Sequence, residues 1–299
     1  MASSPPLAQK LTADAGSHKS AQSSVTCVYQ SHIGGCWRSI TVLWTKNMMN
    51  YSLIMSVDSM ESNQHHTFKV DLKPWHFWSR KGYKSFQVDG YQLEAFWDFR
   101  SARFSGSPEP WSDYYVALVS DGEVALLLGD LKKKAYKKTK SRPALFDAFL
   151  IYKKEHVFGK KSFSTRASFD HRTKEHDIVV ESSTSGPKDP EMWISVDGIV
   201  QINIKNLQWK FRGNETITIN KQAVQVFWDV YGWLFCDPGS NHGLFIFKPC
   251  VTESECDKDD SSSVHGNGSD CSGESMYYST VGQSKETQFS LFLYAWKVE

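Results

Sequence analysis

From Val25 onward, apolar residues recur in short alternating runs broken by Gly, Asp and Asn, the period-two pattern of half-buried strands. The pattern predicts strands over residues 40–44, 53–57, 68–72, 85–88, 93–99, 115–119 and 124–128. It resumes over 163–169, 178–181, 192–196, 199–204, 216–219, 224–230 and 244–247, with an aromatic, strand-like return over 289–296. One segment reads as helix, from an N-cap at Asp130 through Leu131 to Thr139, with Pro143 beyond it. The expected fold is therefore all-β and antiparallel, about fourteen strands in sandwich-like or barrel-like units with one short helical connector.

The strands repeat. Shifting the chain by 131 positions lays Trp78, Gly82, Phe86, Phe96, Trp97, Asp98 and Phe104 on Trp209, Gly213, Ile217, Phe227, Trp228, Asp229 and Phe235. A five-residue insertion then brings Val70 and Asp71 onto Val196 and Asp197. One offset that matches Trp, Gly, Trp, Asp and Phe together points to internal duplication. In each copy one strand face is apolar: Leu93, Ala95, Trp97 and Phe99, or Val224, Val226, Trp228 and Val230. The other face, with Phe96 and Asp98 or Phe227 and Asp229, must meet solvent, a cleft or the other copy. Gly82 and Gly213 fall where a hairpin would need a positive φ, and Asp121-Gly122 closes a hairpin of its own.

This organisation divides the chain into a disordered arm (1–24), a first β unit (25–129) and a basic helical connector (130–154). A second β unit (155–250), an acidic, Ser/Gly-rich insert (251–288) expected to be mobile and a C-terminal strand (289–299) follow. Lys plus Arg total 34 against 33 Asp plus Glu, so no global field draws the chain to nucleic acid or anionic lipid, and neither is expected as a partner. Six cysteines without a C-x-x-C pair suggest free thiols rather than a zinc site. With no signal-like opening and no run long enough to span a bilayer, the expected compartment is cytoplasm or nucleus.

Candidate chemistry is sparse. No nucleophile elbow, zinc-protease, Walker or dinucleotide-binding string occurs. Asp98 and Asp229, related by the repeat, are the candidate acid/base pair if they face one another; otherwise each caps a turn or pairs with an arginine such as Arg100 or Arg212. His65-His66 point to opposite strand faces, and His171 and His176 flank two acids; no metal or other cofactor is expected. Trp78, Trp97, Trp209 and Trp228 follow strand alternation and are expected in the core, leaving Trp111 as the exposed aromatic. Lys133, Lys134, Lys137 and Lys138 lie in a run of seven cations within eleven residues. That run is either a phosphate-binding or nuclear-import patch or a solvated connector helix with Leu131 and Ala135 inward.

The runs FWDFRSARF, YYVALVSDGEVALLLGDLKKKAYKKTK, EHVFGKKSFSTRASF, HDIVVE, WKFRGNETI and VFWDVYGWLF, met in this order, resemble the plant-specific family called domain of unknown function 868. The resemblance covers residues 23–247 and the final Ala295 to Lys297. It implies a land-plant protein and supplies no activity, substrate or cofactor. Where the family reads WDVHDWLF this chain has Tyr231-Gly232, so any chemistry resting on that His is in doubt here.

Three functions remain open at this level. The leading one is a non-catalytic binding or scaffolding protein, with a protein partner. The others are a carrier of a small apolar ligand, held in a barrel or between the units, and an enzyme built on Asp98 and Asp229.

Overall fold

The computed structural model describes residues 23–48, 50–61, 65–73, 77–159, 161–169, 175–183, 189–250 and 289–298, without the side chains of Phe77 and Trp78. The first unit is a meander of β1 (Ser23–Ile33), β2 (Cys36–Lys46), β3 (Tyr51–Asp58) and β4 (His65–Leu72), then a second of β5 (Lys81–Val88), β6 (Tyr91–Asp98), β7 (Tyr115–Ser120) and β8 (Glu123–Leu128). Helix α1 (Lys132–Thr139), the short β9 (Arg142–Pro143) and β10 (Phe149–Phe158) lead into the second unit. There the first meander is β11 (Ser162–Ala167), β12 (His176–Ser183), β13 (Glu191–Val196) and β14 (Ile199–Ile204). The second is β15 (Arg212–Ile219), β16 (Gln222–Asp229), β17 (His242–Pro249) and β18 (Ser290–Trp296), with the single helical turn α2 (Tyr231–Leu234) after β16.

Three sheets result. One has nine strands in the order β15-β16-β17-β18-β10-β1-β2-β3-β4; the others are β5 to β9 and β11 to β14. All pairings are antiparallel except β10 with β18 and β8 with β9. The large sheet thus joins the second meander of one unit to the first meander of the other, with β10 as the seam.

Both small sheets cover the same face of the large one. Beneath β5 to β8, Val25, Ile40, Val42, Trp44, Leu53 and Met55 form one core with Leu93, Ala95, Val116 and Leu118. Beneath β11 to β14, Ile178, Val180 and Ile194 form a second with Val226, Trp228, Phe245, Phe247 and Leu293. Leu150 on β10 packs against both. The structure is two sandwiches side by side on a shared sheet, not a closed barrel.

The duplication extends to single hydrogen bonds. Trp97 Nε1–H donates to the Ser79 carbonyl (3.0 Å), and Trp228 Nε1–H to the Lys210 carbonyl (3.1 Å), both pairs separated by the 131-residue offset. The β5–β6 hairpin turns through Asp89-Gly90 and the β15–β16 hairpin through Asn220-Lys221, all four at positive φ, as a two-residue turn of type I′ requires. Each turn is anchored to the second strand of its unit. Asp89 pairs with Arg38 on β2, whereas Asn220 bonds His176 Nε2 on β12 (3.0 Å), whose Nδ1 meets Asp197 Oδ2 at 2.8 Å.

Several expectations need correction. Strands β1 and β10 lie outside the segments that the alternation predicts, and α2 is a second helical element. Gly82 and Gly213 have no positive φ; each is the cross-strand partner of its tryptophan, and a Cβ would collide with Cζ2 of Trp97 or Trp228. A one-residue step takes the place of the five-residue insertion, since β4 precedes β5 as β14 precedes β15. Val70 and Leu72 therefore stand where Ile202 and Ile204 do, and Val196 ends β13 instead. Trp209 is 82% exposed, because it lies in the turn before β15, where strand alternation does not apply. Asp130 does not cap α1; its carboxylate accepts from the Tyr114 N–H (3.2 Å). Residues 1–22 and 251–288, which hold most of the expected arm and insert, lie outside the described residues.

Candidate binding face

With both small sheets on one side, the described elements leave the opposite face of the nine-stranded sheet open. Strand register fixes what that face carries, because directly paired residues share a side. Across β17, β18 and β10 one row reads His242, Trp296, Phe158. The next, from β16 to β1, reads Asp229, Leu244, Tyr294, His156, Ser24. A third reads Phe227, Ile246, Phe292, Lys154, Thr26. Beyond β1 the second row continues through Thr45 on β2 and Ser52 on β3, and the third through Leu43 and Ile54. The second-unit half of the face is therefore aromatic, and the first-unit half mixes hydroxyls with Leu43, Ile54 and a separate aromatic group in which Trp37 meets His32 and Phe149.

The aromatic half is interlocked. Tyr152 meets Phe292 edge-on at 6.2 Å, and Tyr294 lies 5.4 Å from His156 and 5.2 Å from His242. Lys154 Nζ sits 4.7 Å from the Tyr294 centroid, a cation–π contact. Burial, then Lys154 and His242, push the His156 pKa down, which keeps that ring neutral at neutral pH. Among the described strand positions of this face from β15 to β2 the only carboxylate is Asp229, and Arg212 holds it through Nε (2.9 Å) and a second nitrogen (2.6 Å). Two grooves flank that ion pair. One, of 360 Å³, is lined by Asn214, Phe227, Leu244 and Ile246; the other, of 460 Å³, by Phe211, Tyr231, Cys236 and His242.

The sequence-singled residues fall elsewhere or are engaged. Asp98 lies on β6 in the five-stranded sheet and Asp229 on β16 in the nine-stranded one, and no hydrogen bond or ion pair joins them. Burial opposes the Asp98 charge, but the Arg100 guanidinium and backbone N–H outweigh it and hold the carboxyl below its ordinary value. Both aspartates also accept from the N–H two residues on, at Arg100 and Tyr231, as caps of the turns leaving their strands. Trp111 is 49% exposed, and the Arg166 guanidinium covers its ring at 3.7 Å. Lys133, Lys134, Lys137 and Lys138 are exposed on α1, whose Ala135 is buried with Leu131 and Tyr136 against β6 and β7. His65 bonds Asp58 (2.9 Å), His171 is not among the described residues, and no cluster of metal-ligating side chains occurs among those that are.

The seam between the sandwiches holds the buried charge that the sequence reading overlooked. On the inner side of β10, Lys153 Nζ lies 2.8 Å from Glu155 and 3.4 Å from Glu109, and donates to the Arg166 carbonyl (2.9 Å). Thr165 Oγ1 donates to Glu155 (2.6 Å). Burial works against the Lys153 ammonium, but Glu155 and Glu109 outweigh it and raise the pKa; burial likewise raises Glu109 and the Cys27 thiol. A thiol held protonated is a poor nucleophile. The cluster fills the seam and links the β6–β7 loop of one unit to β11 of the other.

The family model described as plant protein of unknown function (DUF868) matches residues 20–297, nearly the whole chain. The chain belongs to that family. Among curated proteins and solved structures nothing matches it. DUF868 membership brings no activity with it. No helix of the described residues is long and apolar enough to cross a membrane.

Proposed function

We propose that this DUF868 protein is a non-catalytic binding or scaffolding protein of the cytoplasm or nucleus, and that it engages a protein partner across the aromatic half of its nine-stranded sheet. The observation that carries this reading is the one-sided coverage of that sheet. A sheet face that only meets water is ordinarily polar. Phe227, Leu244, Ile246, Phe292, Tyr294 and Trp296 form instead a contiguous apolar surface, the kind that marks interaction sites. The carrier reading draws less support, since the seam expected to hold a ligand is filled by Lys153, Glu155 and Thr165. The enzyme reading requires Asp98 and Asp229 to act together, and each is tied to its own arginine.

The test is quantitative affinity purification from plant tissue with the wild-type chain and a Phe292→Lys/Tyr294→Lys variant, with lipid and metabolite analysis of the purified material. Partners held by the wild type and lost from the folded variant support the reading. An unchanged partner set overturns it, and a co-purifying apolar metabolite would favour the carrier.

A further inference from the structure

The duplication shows what such a face accepts. In the first unit the outer side of β6 and β7 places Phe96 opposite Ala117 and Asp98 opposite Tyr115, and α1 covers them with Ala135 fully buried. In the second unit the same register positions are Phe227 opposite Ile246 and Asp229 opposite Leu244. There no described element takes the helix's place, and the 360 Å³ groove opens over Phe227, Leu244 and Ile246. From β16 to β10 the face spans roughly 14 Å at ordinary strand spacing, close to the width of one α-helix with its side chains, about 10–12 Å.

The rims of the two sites differ in net charge. Next to the covered pair in the first unit, Glu94 stands opposite Val119, and the helix above carries Lys132, Lys133, Lys134, Lys137 and Lys138 without an acid. At the equivalent place in the second unit Gln225 stands opposite Lys248. Lys154 adds a second cation over Tyr294, and Asp229 is already neutralised by Arg212. In the first unit Lys81 and Arg100 both stand beside Asp98, so that rim is balanced and accepts a basic helix, whereas Lys154 and Lys248 of the second repel one.

We propose that the outer face of β16, β17 and β18 docks a short amphipathic helix of a partner protein. That helix is acidic at its rim, carries a small residue at the centre of its apolar face and lies as α1 lies on the first unit. This rests on the reading of the face as a binding surface and adds the chemistry of its partner.

The test uses two labelled, end-capped synthetic peptides and the full-length protein, followed by fluorescence anisotropy at low salt. One peptide has the sequence of residues 129–141; the other has Glu at every lysine of that sequence. The acidic peptide is expected to bind at least tenfold tighter, and Lys154→Glu/Lys248→Glu to reverse the preference. Both substitutions are on the sheet surface, so folding is retained. Ile246→Lys removes binding of both. Absence of acidic-peptide binding, or a preference that survives the double charge reversal, overturns the helix assignment. The wider reading of the face is decided separately by partner capture with the Phe292→Lys/Tyr294→Lys variant, so the two failures are distinguishable.

Discussion

The Trp97 indole occupies the space in which a side chain at Gly82, its partner across β5 and β6, would stand. The same relation holds for Trp228 and Gly213 on β15 and β16. The glycine is there for close approach, and the tryptophan uses that approach to reach a backbone carbonyl with its N–H while closing one end of a core.

Gly82→Ala and Gly213→Ala should each therefore destabilise the protein by about 1–3 kcal/mol, the usual range for overpacking. Trp228→Ala should cost about 3–5 kcal/mol. Urea denaturation measures both. A neutral Gly213→Ala would show that the indole can leave this position freely.

Asp89 gives an acid-side prediction. Its carboxylate accepts from Ser59 Oγ (2.5 Å), from Arg38 and from the Met60 N–H (2.9 Å), which together lower its pKa from 3.8 to about 2. A carboxyl depressed in the folded state contributes stability that is complete above its unfolded value and is lost as pH falls through the folded one. Asp89→Asn should lower the urea midpoint near neutrality and flatten the loss of stability between pH 3.8 and about 2. Parallel titration curves for variant and wild type would refute the assignment.

How far the sequence showed this fold depends on which way each strand's polarity runs. Strands such as β4, with Phe68, Val70 and Leu72 inward and Thr67, Lys69 and Asp71 outward, announce themselves by alternation. Strand β10 is inverted: Lys153 and Glu155 face the core side while Tyr152, His156 and Phe158 face out, so it reads as part of a basic connector. The candidate face stayed hidden for the same reason. Its rows join residues as distant as Phe227, Ile246, Phe292 and Lys154, and only the parallel pairing of β10 with β18 brings them together. Helix α1 was legible because its lysines and its Leu131 and Ala135 separate by helical period.

As a solvated connector helix, α1 should tolerate loss of its charge. Replacing Lys133, Lys134, Lys137 and Lys138 by Gln should change stability by about 0.5 kcal/mol per site or less. It should also leave nucleic-acid and anionic-vesicle binding unchanged at every salt concentration. A steep salt dependence that the four replacements flatten would instead make the helix a phosphate-binding element.

The seam supplies the last prediction. Lys153→Met leaves the Glu155 and Glu109 carboxylates without their shared cation, in a place where burial already raises the Glu109 pKa. Breaking one partner out of a buried ionic set costs about 3–5 kcal/mol, whereas replacing the whole set by apolar residues of similar size is often neutral or stabilising. Lys153→Met should thus lower the urea midpoint sharply. The combined Lys153→Met/Glu155→Leu/Glu109→Leu/Thr165→Val variant should recover most of the loss, because Thr165 no longer donates to a missing carboxylate. The charged set also ties the β6–β7 loop to β11 through the Arg166 carbonyl, a link that an apolar set cannot make. Amide exchange in β11 should accordingly stay faster in the combined variant than in wild type even where global stability is restored. If Lys153→Met proves neutral, or if the combined variant is no better than the single one, the seam is not held by this ionic set.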